Sequence, residues 1–194
     1  MAVLHLVRHG QSGWNVQGRL QGQSTEAPGL TAAGRDQAWR AAEWLAEHAP
    51  DTDLIVTSDL LRTRQTAKII AARLGVPVAL DAGLREQGLG ELEGECDMAA
   101  FERLWREPFR RPPGGGESVA HLYDRVHRTL CRLADERAGR STVLVTHGGP
   151  VRIATTAGPL KPGISIPRKP IHNASVTSIS LRTTSLSRSG PGTN

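Results

Sequence analysis

Three short apolar segments constrain the fold of this 194-residue chain more than any other feature. Residues 3–7, 54–56 and 143–145 are rich in Val, Leu and Ile and show little alternation with polar residues. Strands of this kind are buried on both faces, as they are in a parallel sheet that is covered by helices. The segments therefore predict three strands of a mostly parallel sheet.

Helical patterns separate these segments. Thr31 is a good N-cap for a helix that ends near His48. A second helix is expected to begin near Leu60 and to run to Leu74, where the following Gly75 ends it. Apolar residues at steps of three and four predict a third, long helix: Val119, Leu122, Val126, Leu130 and Leu133. This order of elements predicts an α/β fold, a three-layer α/β/α sandwich around a mostly parallel central sheet.

The segment over residues 85–118 interrupts this order. It is rich in glycine and contains a Pro-Pro-Gly-Gly-Gly run, which predicts a short excursion laid over the sheet. Within it, Phe101 and Trp105 are expected to form a small core of their own, with a place at the entrance of a ligand site as the alternative. The last residues of the chain are polar, so we expect one domain over residues 1–181 and a mobile tail over residues 182–194.

The composition limits the choice of function. The formal net charge is +5, but the basic residues are dispersed, and four Trp, one Tyr and two Phe offer few stacking surfaces for bases. We therefore expect no nucleic-acid partner, and the charge suits an anionic small molecule. No apolar run could span a bilayer and no signal segment follows Met1, which predicts a cytoplasmic protein without a membrane partner. Because Cys96 and Cys131 lack metal-ligand spacing, we expect no metal and no cofactor.

Charged side chains follow the carboxyl ends of the predicted strands. Arg8, His9 and Gly10 come after the first strand, where the glycine is expected to let the backbone approach a ligand. His147 follows the last of the three strands, and Arg62 lies in the first turn of the helix after the middle one. Ligands bind outside the carboxyl ends of strands in an open α/β sheet, so these residues should converge. Two histidines beside two arginines predict an anion site.

Seven motifs of the chain resemble those of the histidine phosphatase (phosphoglycerate mutase-like) superfamily and occur in the same order. They lie at residues 6–10 with 14–15, 18–22, 30–34, 58–67, 84–86 with 90 and 93–94, 113–118, and 145–149. The resemblance extends over about residues 3–181. It implies the same sandwich fold, with the excursion lying over the active site.

The resemblance also implies roles for individual residues. His9 matches the family's nucleophile, which takes the phosphoryl group as a phosphohistidine. Glu86 matches the acid that protonates the leaving alkoxide and then serves as the base toward water. If Glu86 is not the acid, Asp59 and Glu117 are the next carboxylates to consider. The residues implied to hold the phosphoryl group without a metal are Arg8, Asn15, Arg62 and His147. Those expected to contact the substrate are Gln21, Gly22 and Gly148, and Asn173 and Ser175 are expected to close the pocket edge.

The positions after Glu86 separate two branches of the family. Mutase members usually carry Arg immediately after this acid and Tyr two residues later, whereas this chain has Gln87 and Leu89. The difference favours a phosphatase that acts on a small phosphorylated metabolite, although Arg110 and Arg111 could replace the missing charge. A phosphoglycerate mutase-type transfer and a non-catalytic phospholigand-binding module remain the alternatives, and a homodimer is left open.

Overall fold

A five-stranded sheet forms the centre of the molecule. The computed structural model describes residues 1–156 and 171–181. Its strands are β1 (Ala2–Arg8), β2 (Thr52–Thr57), β3 (Val78–Leu80), β4 (Ser141–Thr146) and β5 (Val176–Leu181). They lie in the order β3-β2-β4-β1-β5, in which the first four are parallel and β5 runs antiparallel to β1. The mostly parallel sheet is confirmed.

Helices cover both faces of this sheet. They are α1 (Gly13–Val16), α2 (Ala32–His48), α3 (Leu61–Leu74), α4 (Met98–Arg106), α5 (Val119–Glu136) and α6 (Gly148–Ala154). Ala42 of α2 and Ile70 of α3 share a buried cluster with Val7 on one face. Leu122 of α5 shares a second cluster with Leu6 on the other face. The molecule is therefore the predicted α/β/α sandwich.

Local signals fix the helix ends that the sequence predicts. Thr31 Oγ1 accepts a hydrogen bond from Gly34 N at 3.0 Å where α2 begins. Gly75 ends α3 with a φ of 69°, a left-handed conformation that glycine adopts without strain. Ser118 Oγ accepts a hydrogen bond from His121 N at 3.2 Å where α5 begins. All three predicted helices are confirmed.

The excursion packs onto the sheet through α4. Trp105 is 1% exposed and belongs to the same buried cluster as Leu6 and Leu122. The prediction of a separate small core was therefore wrong, because Trp105 is part of the buried cluster on that face of the sheet. Phe101 is only half-buried, with its ring centroid 6.3 Å from that of Trp105.

Two predictions concern the limits of the domain. The tail over residues 182–194 lies outside the described residues, so its mobility and the single domain over residues 1–181 stay predictions. In the two described ranges, no helix combines the length and apolar character needed to cross a membrane.

Candidate active site

The carboxyl ends of β1, β2 and β4 open into a pocket of about 350 Å³. Eight of the predicted site residues line it: Arg8, His9, Asn15, Gln21, Gly22, Arg62, Glu86 and Gly148. The ninth, His147, is fully buried beside His9, with the two ring centroids 5.3 Å apart. Chain topology thus brings together residues that lie as far as 140 positions apart, as expected for parallel strands that end at one edge.

His9 is held in a neutral and oriented form. Its side chain is 3% exposed, and Nδ1 lies 2.7 Å from the carbonyl oxygen of Gly10. Because a carbonyl can only accept, Nδ1 carries the proton and Nε2 keeps its lone pair. Burial lowers the pKa of His9 well below its ordinary value of 6.5, and the positive charges of Arg62 and Arg8 lower it further. The ring is therefore equipped to act as a nucleophile through Nε2.

Gly10 is required by the packing of α2. A Cβ atom at Gly10 would lie 2.2 Å from the carbonyl oxygen of Gly34, and one at Gly34 would lie 1.9 Å from that of Gln11. The end of β1 and the first turn of α2 therefore meet backbone to backbone. The close approach predicted at Gly10 exists, but it is made to this helix, and Gly10 lies outside the described pocket lining.

A serine hydroxyl orients His147. Nε2 of His147 lies 2.9 Å from Ser58 Oγ, which also accepts a hydrogen bond from Leu60 N at 3.4 Å. This arrangement favours donation from the hydroxyl to Nε2, which leaves the proton of His147 on Nδ1. Nδ1 is buried and has no hydrogen-bond partner among the described residues. Burial, followed by the charge of Arg62, lowers the pKa of His147 well below its ordinary value, so the ring is a neutral donor.

Two arginines supply the positive charge of the pocket. Arg62 is 2% exposed and donates from Nη2 to the carbonyl of Gly22 at 2.8 Å. Arg8 donates from Nη1 to the carbonyl of Ile171. Burial lowers the pKa of Arg62 to about 10, against the opposing charge of Glu86, so it remains protonated at neutral pH. Both arginines keep a buried Nε that has no partner in the described part of the chain, and these donors are available to an anion.

The segment around α1 supplies neutral donors. Asn15 Oδ1 accepts from Ser12 N at 3.0 Å and from Asn173 Nδ2 at 3.3 Å. Since the oxygen is occupied, the Nδ2 group of Asn15 is left available to the pocket. Gln21 is held in the same way, because its Oε1 accepts from Ser12 Oγ at 2.8 Å. Gly22 follows with a φ of 47°, which turns its carbonyl toward the buried arginine described above.

Glu86 is clamped at the start of α6. Its Oε1 accepts from Gln87 N at 2.9 Å and its Oε2 from Gly149 N at 3.1 Å. A Cβ atom at Gly149 would lie 2.1 Å from Oε1, so a glycine is needed to leave room for the carboxyl group. Sequence reasoning assigned Gly149 no role of its own, although the Gly148-Gly149 pair after a strand marked the position.

Several groups considered at the sequence level lie elsewhere. Asp59 and Glu117 form ion pairs with arginines and are absent from the described pocket lining. Arg110 and Arg111 are exposed and also lie outside that lining, so they do not supply the charge missing at position 87. Neither Ser175 nor Asn173 belongs to the described pocket lining. Ser175 Oγ donates to the carbonyl of His172 at 2.8 Å, whereas Asn173 Nδ2 donates to the carbonyl of His9, a lining residue, at 3.1 Å.

One wall of the pocket is apolar and cationic, and the sequence pointed only to its Phe101 part, as the alternative place for that ring. Trp14 and Phe101 line the pocket, and the Arg19 guanidinium carbon lies 5.4 Å from the ring centroid of Trp14. Arg152 of α6 also lines it and lies over the Trp105 ring at 4.8 Å. The contact between Arg152 and Trp105 joins two helices that are far apart in sequence, so no local spacing pointed to it. Arg19, in contrast, follows Trp14 closely along the chain.

The described residues contain no cluster of three or more His, Cys, Asp or Glu side chains that could hold a metal ion. The positive charges that face the pocket belong to its arginines.

The sequence pattern of the histidine phosphatase superfamily (branch 1) matches residues 4–187. The chain belongs to this superfamily. A glucosyl-3-phosphoglycerate phosphatase of Mycolicibacterium vanbaalenii is 41% identical to this chain over 167 residues, which are 79% of this chain and 72% of that protein. Phosphoglycerate mutase-like protein 4 of Arabidopsis thaliana is 38% identical over 161 residues, which are 78% of this chain and 68% of that protein.

A solved structure gives the same result for the fold. The structure of a mycobacterial glucosyl-3-phosphoglycerate phosphatase in complex with VO3 superposes with a TM-score of 0.79 at 33% identity, covering 92% of this chain and 90% of that one. Phosphatase and mutase-like names both occur among these relatives, so the reaction has to be inferred from the residues of the site.

Proposed function

We propose that the chain is a phosphomonoester hydrolase that acts on a small phosphorylated metabolite through a phosphohistidine at His9. The observation that carries the proposal is a set of three buried donors without partners among the described residues: Arg8 Nε, Arg62 Nε and His147 Nδ1. A buried donor left unsatisfied costs about 1–3 kcal/mol. A phosphoryl group, with its non-bridging oxygens, would satisfy all three beside a neutral His9.

In the first step, Nε2 of His9 attacks phosphorus and the bond from phosphorus to the ester oxygen breaks. Glu86 delivers a proton to the departing alkoxide. Among the described residues that line the pocket, it is the one that carries a carboxyl group. The step leaves the phosphoryl group on His9 and the alcohol free to leave.

In the second step, Glu86 takes a proton from a water molecule, whose oxygen attacks phosphorus. The bond from Nε2 of His9 to phosphorus breaks, and inorganic phosphate is released. Arg8 and Arg62 balance the charge on the transferring group throughout, so the mechanism requires no metal ion.

Residues near Glu86 favour water over a second hydroxyl group as the acceptor. Gln87 is fully buried and donates from Nε2 to the carbonyl of Glu117 at 2.8 Å, so it is turned away from the substrate. Leu89 gives the pocket an apolar side chain. Neither position offers the charge or hydroxyl group with which mutases usually hold a carboxylate-bearing substrate. A module that only binds a phosphorylated ligand would need the arginines but not Glu86.

The proposal is tested by measuring phosphate release from a panel of phosphorylated metabolites in a strong chelator, with positional isomerisation followed in parallel. The panel includes the phosphoglycerates and glucosyl-3-phosphoglycerate, the substrate class named for one relative. We expect release that exceeds isomerisation and is unchanged by the chelator. Activity that disappears with the chelator and returns with magnesium or zinc would contradict the mechanism, and faster isomerisation would favour a mutase.

The role of Glu86 is tested by Glu86→Gln with two esters. An alkoxide departs poorly without a proton, so phosphorylation by an alkyl phosphate should slow by about 10²- to 10⁴-fold. Phosphorylation by p-nitrophenyl phosphate should change much less, because p-nitrophenolate leaves unaided. The two esters are compared by their single-turnover rates of phosphorylation. The control is Glu91→Gln, which changes an exposed carboxyl group in the same excursion. Equal losses for both esters would show that Glu86 is not the leaving-group acid.

A further inference from the structure

Arg125 lies in the middle of α5 and reaches into the excursion. Its guanidinium pairs with Glu117 through two hydrogen bonds, from Nε to Oε1 at 2.9 Å and from Nη2 to Oε2 at 2.6 Å. The two side chains are only 21% and 18% exposed. A two-bonded pair of this kind fixes the plane of the guanidinium, because the planar fork matches the carboxylate.

The remaining donors of Arg125 bind the backbone that leads into Glu86. Nη1 donates to the carbonyls of Gly83 at 2.9 Å and Arg85 at 3.0 Å. Nη2 donates to the carbonyl of Glu86 itself at 3.1 Å. One side chain therefore holds three carbonyls within four consecutive residues.

Glu117 fixes the backbone on the other side of Glu86. Its N–H donates to the carbonyl of Gly88 at 2.7 Å, and its own carbonyl accepts from Gln87 Nε2 at 2.8 Å. The peptide units before and after Glu86 are thus tied to one ion pair. Neither member of the pair lines the described pocket.

We propose that Arg125, oriented by Glu117, is a positioning residue that aims the carboxyl group of Glu86 at the leaving oxygen. The inference rests on the proposed function, in which Glu86 transfers the proton. A proton donor acts only within hydrogen-bond distance of the group that it protonates. A small displacement of the Glu86 backbone therefore takes its carboxyl group out of reach of the leaving oxygen. Loss of the planar fork should therefore reproduce the defect of Glu86→Gln.

The test compares Arg125→Met and Arg125→Lys with Arg128→Met. Lysine keeps the charge but cannot hold three carbonyls and a carboxylate at once. Arg128 is an arginine of the same helix whose Nε binds the carbonyl of Asp124, so its removal leaves the excursion untouched. Both Arg125 variants should lose about tenfold or more in phosphorylation by an alkyl phosphate while p-nitrophenyl phosphate changes by less than about threefold. Arg128→Met should resemble the wild type.

Amide hydrogen exchange supplies a second readout that does not need activity. The amide of Gly149 donates to Glu86 Oε2, so its exchange should accelerate in both Arg125 variants and not in Arg128→Met. Unchanged exchange at Gly149 would overturn the inference. So would equal losses for the two esters, because a merely structural defect lowers both rates together. If the wild type hydrolyses no ester, the proposed function is wrong, and exchange at Gly149 alone decides whether Arg125 positions Glu86.

Discussion

At the scale of single residues, the account depends on a histidine that stays neutral among positive charges. Burial and the charges of Arg62 and Arg8 lower the pKa of His9, while its contact with the Gly10 carbonyl opposes them weakly. As the pH falls through 6.5, an ordinary histidine gains a proton and loses its lone pair. His9 should keep the lone pair on Nε2 well below that pH.

The protonation state of His9 is checked by nitrogen NMR of histidine-labelled protein without ligand. The His9 signals, assigned by their loss in His9→Gln, should report Nδ1–H and an unprotonated Nε2 at and below pH 6.5. The free protein is used because a bound phosphoryl dianion would favour the protonated ring. A His9 midpoint near 6.5, or a proton on Nε2, would contradict the neutral nucleophile.

Individual residues were predictable where their position along the chain carried the signal. Arg8 is the last residue of β1, and His9 and His147 directly follow β1 and β4, so parallel pairing alone brings them together. Ser58 was part of a recognised motif, but its hydrogen bond with His147 was not predicted. The two residues lie 89 positions apart, and no local pattern connects them. Glycine is needed at position 149 because a Cβ atom there would collide with the carboxyl group of Glu86, and the sequence alone does not show this contact.

At the scale of secondary-structure elements, the junction of β1 with α2 sets the position of His9. Gly34 lies in the first turn of α2, where replacement by alanine would ordinarily stabilise a helix by up to about 1 kcal/mol. Here the added Cβ would lie 1.9 Å from the carbonyl oxygen of Gln11, and backbone atoms must move to relieve the contact. Overpacking of this kind costs about 1–3 kcal/mol.

We therefore expect Gly34→Ala to lower the free energy of unfolding, measured by urea titration, and to slow His9 phosphorylation because the end of β1 shifts. Gly88→Ala is the control, since its Cβ would meet no atom closer than 3.7 Å. A Gly34→Ala protein as stable as the wild type would show that the close junction does not constrain the fold.

Elements with a strong pattern were predictable, and those without one were not. The strands β1, β2 and β4 are buried apolar runs and were predicted within two residues of their observed ends. The helix α5 has a clear apolar stripe, which begins at its first residue and ends three residues before its last. The strand β3 has three exposed residues at the sheet edge and lacks such a signal. Trp105 was assigned to a separate core because nothing local shows that α4 reaches the main one.

At the scale of the whole molecule, the site is a consequence of topology. Three parallel strands end at one edge, and the excursion brings Glu86 back over that edge, where Gly149 receives its carboxyl group. The fold class and the approximate site followed from strand order and motifs. The ion pair of Arg125 and Glu117 could not be predicted in this way, because a hydrogen-bond network between an excursion and a helix depends on tertiary contacts.

The central claim is the covalent intermediate on His9. It is tested by mixing the enzyme with a radiolabelled phosphate ester, quenching within milliseconds into alkali, which preserves a phosphorus–nitrogen bond, and mapping the label by peptide mass spectrometry. The account predicts an acid-labile phosphoryl group on the His9 peptide that forms and decays no more slowly than turnover, and none in His9→Ala. A label on any other residue, or hydrolysis by His9→Ala at more than about a hundredth of the wild-type kcat, a loss of only about 2.7 kcal/mol, would contradict it.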